Sequence, residues 1–253
     1  MPGIVEWPTV VQQAMEQFGD KFENDCQRRH FAEYVCGLII AQRKSVAGIN
    51  REFAETTDQS CLNRFLTEAP WDVEALNEAR IDWHQEDAST RFSERGVIAI
   101  DNVLIDHYGK TIEDVGYFWD HVEERYKIAH DYLFANYVCT TGKHYPLYFR
   151  RFKKEEQCEA DEEEFINHTE LTIELVDQVC ERKIPGTFTW DSFFSNARIM
   201  NHVHSKKDAQ GNPRAYVGDL KMNRKVDLEG CRAEDQRGGG EHSDRGPEGN
   251  PSR

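Results

Sequence analysis

Val97-Ile98-Ala99-Ile100-Asp101-Asn102-Val103-Leu104-Ile105 decides how the rest of this chain is read. Seven of these nine residues are apolar and most are β-branched, the composition of a central strand covered on both faces. A carboxylate in the middle of such a strand is costly unless it is paired or bound to a cation. Asp101 is therefore the first candidate for chemistry. The alternative is a strand that ends at Ile100 and leaves Asp101 in solvent.

Downstream, Val115–His121 and Tyr126–Cys139 read as a second and a third strand, the third long and rich in aromatic and β-branched residues. His144–Phe152 reads as a fourth, and Pro146 inside it marks an edge. Seven acids between Glu155 and Glu164 predict a solvated loop. Asn167–Arg182 follows as a helix, capped by Asn167 or Thr169, with Leu171, Leu175, Val176 and Val179 on one face. Pro185-Gly186 turns the chain into a short strand, Thr187–Asp191, then a helix over Ser192–His204 and a last strand over Ala215–Leu220. Three consecutive strands and an edge strand, then helix, strand, helix and strand, is the order of an α/β fold with a ribonuclease H-like mixed sheet and flanking helices.

In that order the first strand lies beside the strand that follows the first long helix. A carboxylate at each place can hold divalent cations, and two such ions about 3.5 to 4 Å apart serve the attacking and leaving oxygens of a phosphoryl transfer. Asp191, closing the Thr187–Asp191 strand, is the second candidate, with a helix N-cap as its alternative. Hard carboxylate oxygens suit Mg²⁺, or Mn²⁺ in its place. Asp106, Asp120 and Asp131 lie in or near strands but not at both required places, and His202 and His204 do not share a helical face.

Upstream, residues 1–95 predict an all-α region. Helical stretches are expected over Val10–Phe18, over Phe31 to Ile39 with Phe31, Tyr34, Val35, Leu38 and Ile39 on one buried face, and over Ser45–Phe53, Asp58–Leu66 and Asp72–Glu86. The link Glu55-Thr56-Thr57 suggests a helix-turn-helix that presents Gln59, Asn63 and Arg64 to DNA bases, with Arg43, Lys44 and Arg51 near phosphates. An ordinary helical bundle has the same pattern.

A net charge of −15 argues against nucleic-acid binding, which normally draws on a basic excess. Twelve Lys against nineteen Arg make an acidic, lysine-poor chain of the kind found in halophilic proteins. Seven scattered cysteines without a CxxC pair predict free thiols in a reducing compartment. The sequence shows neither a basic start followed by an apolar run nor an apolar stretch of bilayer length, so a soluble cytoplasmic protein is expected.

Three stretches resemble the DDE transposases of bacterial and archaeal insertion sequences: Arg29–Phe31 through Arg43–Ile49, the more specific Asp58–Asp72, and Val97–Asp101 together with Phe188–Ser192. The similarity runs from about residue 25 to residue 226. It implies a metal-dependent enzyme that cuts element ends and joins the 3′-hydroxyl to target DNA. Its partners would be terminal inverted repeats and target DNA, bound by a homo-oligomer. Asp101 and Asp191 match the two aspartates of that family. Relatives often carry an adjacent Asp-Asp pair where this chain has Asp101-Asn102. The third acid is expected on a helix beyond Leu220, yet after Val226 the composition turns to Gly, Pro, Arg and acids, which cannot build a packed helix. Residues 96–226 would then be an incomplete catalytic domain and 227–253 a disordered, aberrant tail left by frameshift or truncation. Two alternatives remain at this point: a DNA-binding fragment that inhibits intact copies, and a ribonuclease H-like nuclease unconnected with transposition.

Overall fold

A computed structural model describes residues 3–55, 58–108 and 112–220. The chain divides into two compact units, one up to Arg91 and one from Phe92 onward.

The second unit is built on β1 (Val97–Asp106), β2 (Gly116–Asp120), β3 (Arg125–Val138), β4 (His144–Phe152), β5 (Thr187–Trp190) and β6 (Tyr216–Gly218). They form one mixed sheet in the order β2-β3-β1-β5-β6, with β4 also paired to β3. The fourteen-residue β3 runs antiparallel to β1 on one side, while β2 and β4 share its other side. Pro146 stands opposite Asn136 beside a register shift in the β3–β4 ladder, where its missing N–H is tolerated. β5 joins β1 in parallel and β6 joins β5 in parallel. This is the ribonuclease H-like mixed sheet expected from the strand order.

α7 (His168–Glu181) covers one face, packing on β3 and β4 and burying Leu171, Thr172, Leu175, Val176 and Val179. Its start is fixed by a capping box, in which Asn167 accepts from the Glu170 N–H and Glu170 accepts from the Asn167 N–H. α8 (Ala197–Ser205) packs on α7 and β6.

Several expectations are corrected. β1 is not covered on both faces: Val103 and Ile105 are 47% and 43% exposed, and Phe149 of β4 is 52% exposed. The acidic run is not a plain loop but contains α6 (Glu155–Asp161), at whose start the Lys154 N–H donates to Gln157 Oε1 at 3.2 Å. The helix expected from Ser192 starts only at Ala197, because Asn196 provides its cap.

The first unit contains α1 (Thr9–Phe18), a single 3-10 turn, α2 (Asp25–Ile40), α3 (Val46–Asn50), α4 (Gln59–Thr67) and α5 (Val73–Glu86). Ser45, Asp58 and Asp72 accept backbone N–H bonds at the starts of α3, α4 and α5. The expected buried face of α2 holds only in part: Phe31, Tyr34 and Val35 pack against the core, half-buried. Leu38 and Ile39 are exposed, while His30, Glu33, Cys36 and Gly37 turn inward. Glu33 is buried because the His30 imidazole, at 2.7 Å, and the Arg29 guanidinium, at 3.1 Å, satisfy it. Gly37 lets α2 meet α3, since a Cβ there would lie 2.2 Å from Ile49. The link residues Thr56 and Thr57 fall outside the described residues.

One ion cluster ties β2 to β3. The Lys127 ammonium, nearly enclosed, meets Asp120 at 2.7 Å, Glu123 at 2.6 Å and Asp106 at 3.2 Å. These bonds raise the Lys127 pKa and hold the Asp120 carboxyl down at about 2. A carboxylate with a lowered native pKa stabilises the fold above its ordinary value near 3.9 and stops doing so as pH falls through the native value. Asp120→Asn is therefore expected to be less stable than the parent at neutral pH. Urea midpoints should show that gap closing between about pH 4 and pH 2. A gap that persists at pH 2 would remove Asp120 from the account.

Candidate active site

The parallel register of β1 and β5 pairs Ile98 with Phe188 and Ile100 with Trp190. All four side chains are buried. The next residue on each segment is an aspartate, and strand alternation turns both away from that core. Asp101 and Asp191 are thus brought together, both exposed, at the carboxyl ends of neighbouring parallel strands. Phe134 of β3 stands opposite Asp101.

Each carboxylate uses one oxygen locally. Asp101 Oδ1 accepts the Asn102 N–H at 2.9 Å, and Asp191 Oδ1 accepts the Phe193 N–H at 2.8 Å. Neither has a basic partner among the described residues. Desolvation raises the Asp101 pKa first, and the nearby Asp191 charge raises it further, while the Asn102 N–H opposes both. Two hard, unpaired carboxylates in repulsion are a donor set that fits a divalent cation. Among the described residues, however, no group of three His, Cys, Asp or Glu side chains forms a metal cluster.

β1 continues through Asp106, so the strand does not end at Ile100, although Asp101 does face solvent as that alternative had it. Asp191 is not a helix cap, since Asn196 has that role. Asn102 lies on the opposite sheet face from Asp101 and donates through Nδ2 to Asp131 Oδ1 at 3.1 Å. An acid at position 102 would face a buried carboxylate rather than share the side of Asp101. Of the other acids, Asp106 and Asp120 belong to the Lys127 cluster. His202 donates to Asp177 of α7 at 2.6 Å, and Lys206 meets the same oxygen. His204 is exposed.

Sequence reasoning did not single out Asp219. It follows Gly218, which pairs with Trp190, so it holds on β6 the place that Asp191 holds on β5. The recurring step from strand end to aspartate was its only signal. His168, also missed, accompanies Asp131 behind β1 at 2.8 Å. A histidine in the first turn of an amphipathic helix carries no mark of that partnership.

In the first unit, Arg43, Lys44, Arg51, Asn63 and Arg64 are all exposed, as is Gln59. α3 and α4 pack on α2 and on each other, so Gln59, Asn63 and Thr67 form an outward row at helical spacing. Lys44 donates to the Leu38 carbonyl at the end of α2.

A family model for DDE superfamily endonucleases matches residues 17–249. This chain belongs to that family. The match covers most of both units and runs past Val226, across the change of composition. For this DDE superfamily member, nuclease or transposase-type chemistry on DNA follows from the family, as does the general use of divalent metal by its nucleases. No curated protein matches the chain. Among the described residues, no helix is long and apolar enough to cross a membrane.

Proposed function

We propose that this chain is an insertion-sequence transposase in which Asp101 and Asp191 hold Mg²⁺ or Mn²⁺ at the reacting phosphate. One observation carries the reading: the register of β1 on β5 juxtaposes two exposed carboxylates without basic partners in a DDE-family chain. The bound cation would neutralise charge on the phosphate and favour ionisation of the attacking water or 3′-hydroxyl. The protein's share is to present the two carboxylates at fixed separation. Trp190 anchors Asp191 from the core side, its indole N–H donating to Ser195 Oγ at 3.1 Å. Residues 96–226 would be the catalytic domain.

Residues 1–95 would bind element ends, with Arg43, Lys44 and Arg51 on phosphates and Asn63 and Arg64 at base edges. Removing Lys44 or Arg51 is expected to lower the slope of log affinity against log salt by about one each, across all sequences. Replacing Arg64 should cost about 1–3 kcal/mol on element ends and little on unrelated DNA. Gel shifts over a salt series read both. Uniform loss on Arg64 substitution would remove it from base recognition. The acidic, lysine-poor composition fits a halophilic setting, where phosphate attraction is screened and base contacts matter more.

A second reading draws on the composition after Val226. Residues 227–253, outside the described residues, offer almost no apolar side chain for a helix bearing the third acid. On this basis the chain is impaired in cleavage and acts as a DNA-binding inhibitor of intact copies. Gel shift with element-end DNA beside strand cleavage in Mg²⁺ or Mn²⁺ separates the two. Binding with cutting supports the transposase, and binding alone supports the inhibitor. Cutting without preference for element ends would replace both with a ribonuclease H-like nuclease.

A further inference from the structure

We infer that the first turn of α7, through His168, is the positioning device that holds the Asp101 and Asp191 segments in register with each other. The inference rests on the reading of those two aspartates as cation ligands.

Behind β1, the Asp131 carboxylate is 3% exposed. A carboxylate so enclosed must have its oxygens satisfied. Oδ1 accepts from Asn102 Nδ2 at 3.1 Å and Oδ2 accepts from His168 Nε2–H at 2.8 Å. Asn102 is the residue whose backbone N–H holds Asp101. His168 therefore reaches the first carboxylate through Asp131 and the peptide of Asn102.

The same imidazole reaches the second carboxylate from its other side. Its ring stacks on Phe152 at 3.8 Å between centroids and meets the edge of Phe193 at 5.4 Å. Phe193 supplies the N–H that holds Asp191. The two residues after His168 reinforce the link. Thr169 Oγ1 accepts from Asn196 Nδ2 at 3.1 Å, and Glu170 meets Arg198 at 3.2 Å. One helical turn thus clasps the far side of β1 and the whole Asp191–Arg198 segment. Phe193 is half exposed, so this ring contact is not forced by core packing. The sheet register alone places the two backbones side by side, and His168 governs how far each aspartate segment can drift.

The test is Mn²⁺ affinity of the full chain, read by electron paramagnetic resonance, with thermal melts alongside. Groups that orient a metal ligand typically contribute about ten- to hundredfold in affinity. His168→Phe, which keeps a ring but cannot donate to Asp131, is expected to weaken Mn²⁺ by about tenfold or more. His168→Gln, which retains an amide donor, should recover part of that loss. Leu175→Ala, which only loosens the α7 core, should lower the melting temperature and leave the affinity of the folded protein unchanged. Parent-like affinity in His168→Phe, with Asp101→Asn abolishing binding, would overturn the positioning role and leave the carboxylate reading intact. Absence of Mn²⁺ binding in the parent would overturn the carboxylate reading, and the inference with it. If His168→Phe does not fold, Phe193→Ala decides: a severalfold weakening supports the link to Asp191, and parent-like affinity overturns it.

Discussion

Replacing Asp101 with asparagine is expected to raise the melting temperature of the metal-free chain and to abolish its stabilisation by Mn²⁺. The two effects share one cause. Desolvation and the Asp191 charge raise the Asp101 pKa, so the folded chain holds this proton more tightly than the unfolded chain does. Such a group gives its full stabilisation below the ordinary carboxylate range and loses it as pH rises through the native value. At neutral pH the ionised carboxylate is therefore a liability, and a neutral amide of the same shape relieves it. The same substitution removes an anionic oxygen from the cation site. A ligand at a hundred times its Kd stabilises by about 2.7 kcal/mol, and this increment should vanish. Strand cleavage should fall by more than about a hundredfold, beyond the loss from disturbing a residue that only orients a ligand. Melts at pH 7 with and without Mn²⁺ check both halves. A lowered metal-free melting temperature, or a Mn²⁺ shift retained, would sink the assignment. Asp191→Asn should lose the Mn²⁺ shift as well, although its amide oxygen can still accept the Phe193 N–H.

Gly96→Ala is expected to cost about 3 kcal/mol, near the upper end for overfilling a packed site. A Cβ at Gly96 would stand 1.9 Å from the Tyr137 hydroxyl oxygen. Tyr137 cannot move aside. It is fully buried, accepts the Ser93 N–H at 2.7 Å and donates to the Ser93 carbonyl at 3.0 Å. Gly186, at φ +130°, presses on the same peptide, where a Cβ would meet the Gly96 carbonyl at 2.7 Å. The start of β1 is thus pinned between Tyr137 of β3 and the turn into β5. Tyr137→Phe in the Gly96→Ala background should recover little of the loss, because the ring carbon Cζ, which phenylalanine keeps, would still stand 2.3 Å from the added Cβ. Chemical denaturation of the single and double variants measures this. Equal stability of Gly96→Ala and parent would show that the close approach is not maintained in solution.

The strand order was legible because each strand carried its own signal: apolar continuity in β1, aromatic and β-branched content in β3, Pro146 in β4. Asp101 and Asp191 could be found because each follows a buried apolar residue, Ile100 and Trp190, at strand spacing. What hid from the sequence was any contact made across the sheet. Asp131 looks like any acid in a strand until β1 brings Asn102 beside it, and His168 joins them from 37 positions away. The end of the α2 face, at Leu38 and Ile39, was misread for a related reason, although Phe31, Tyr34 and Val35 do pack on the core. Leu38 and Ile39 look like core, yet the inward side is chosen by Glu33 and its partners His30 and Arg29, a polar arrangement that hydrophobic spacing does not report. In the acidic run, a high density of charge masked α6, at whose start Gln157 accepts the Lys154 N–H.

The length of β3 makes it the ruler of the domain. A single strand sets the alignment of β1 on one flank and of β2 and β4 on the other. Because successive residues face opposite sides, a slip of one position would exchange the two faces along its whole length. Asp131 would leave its two donors, and Tyr132 would be driven toward α7 in its place. An inserted or deleted residue in β3 thus reaches both aspartate segments at once.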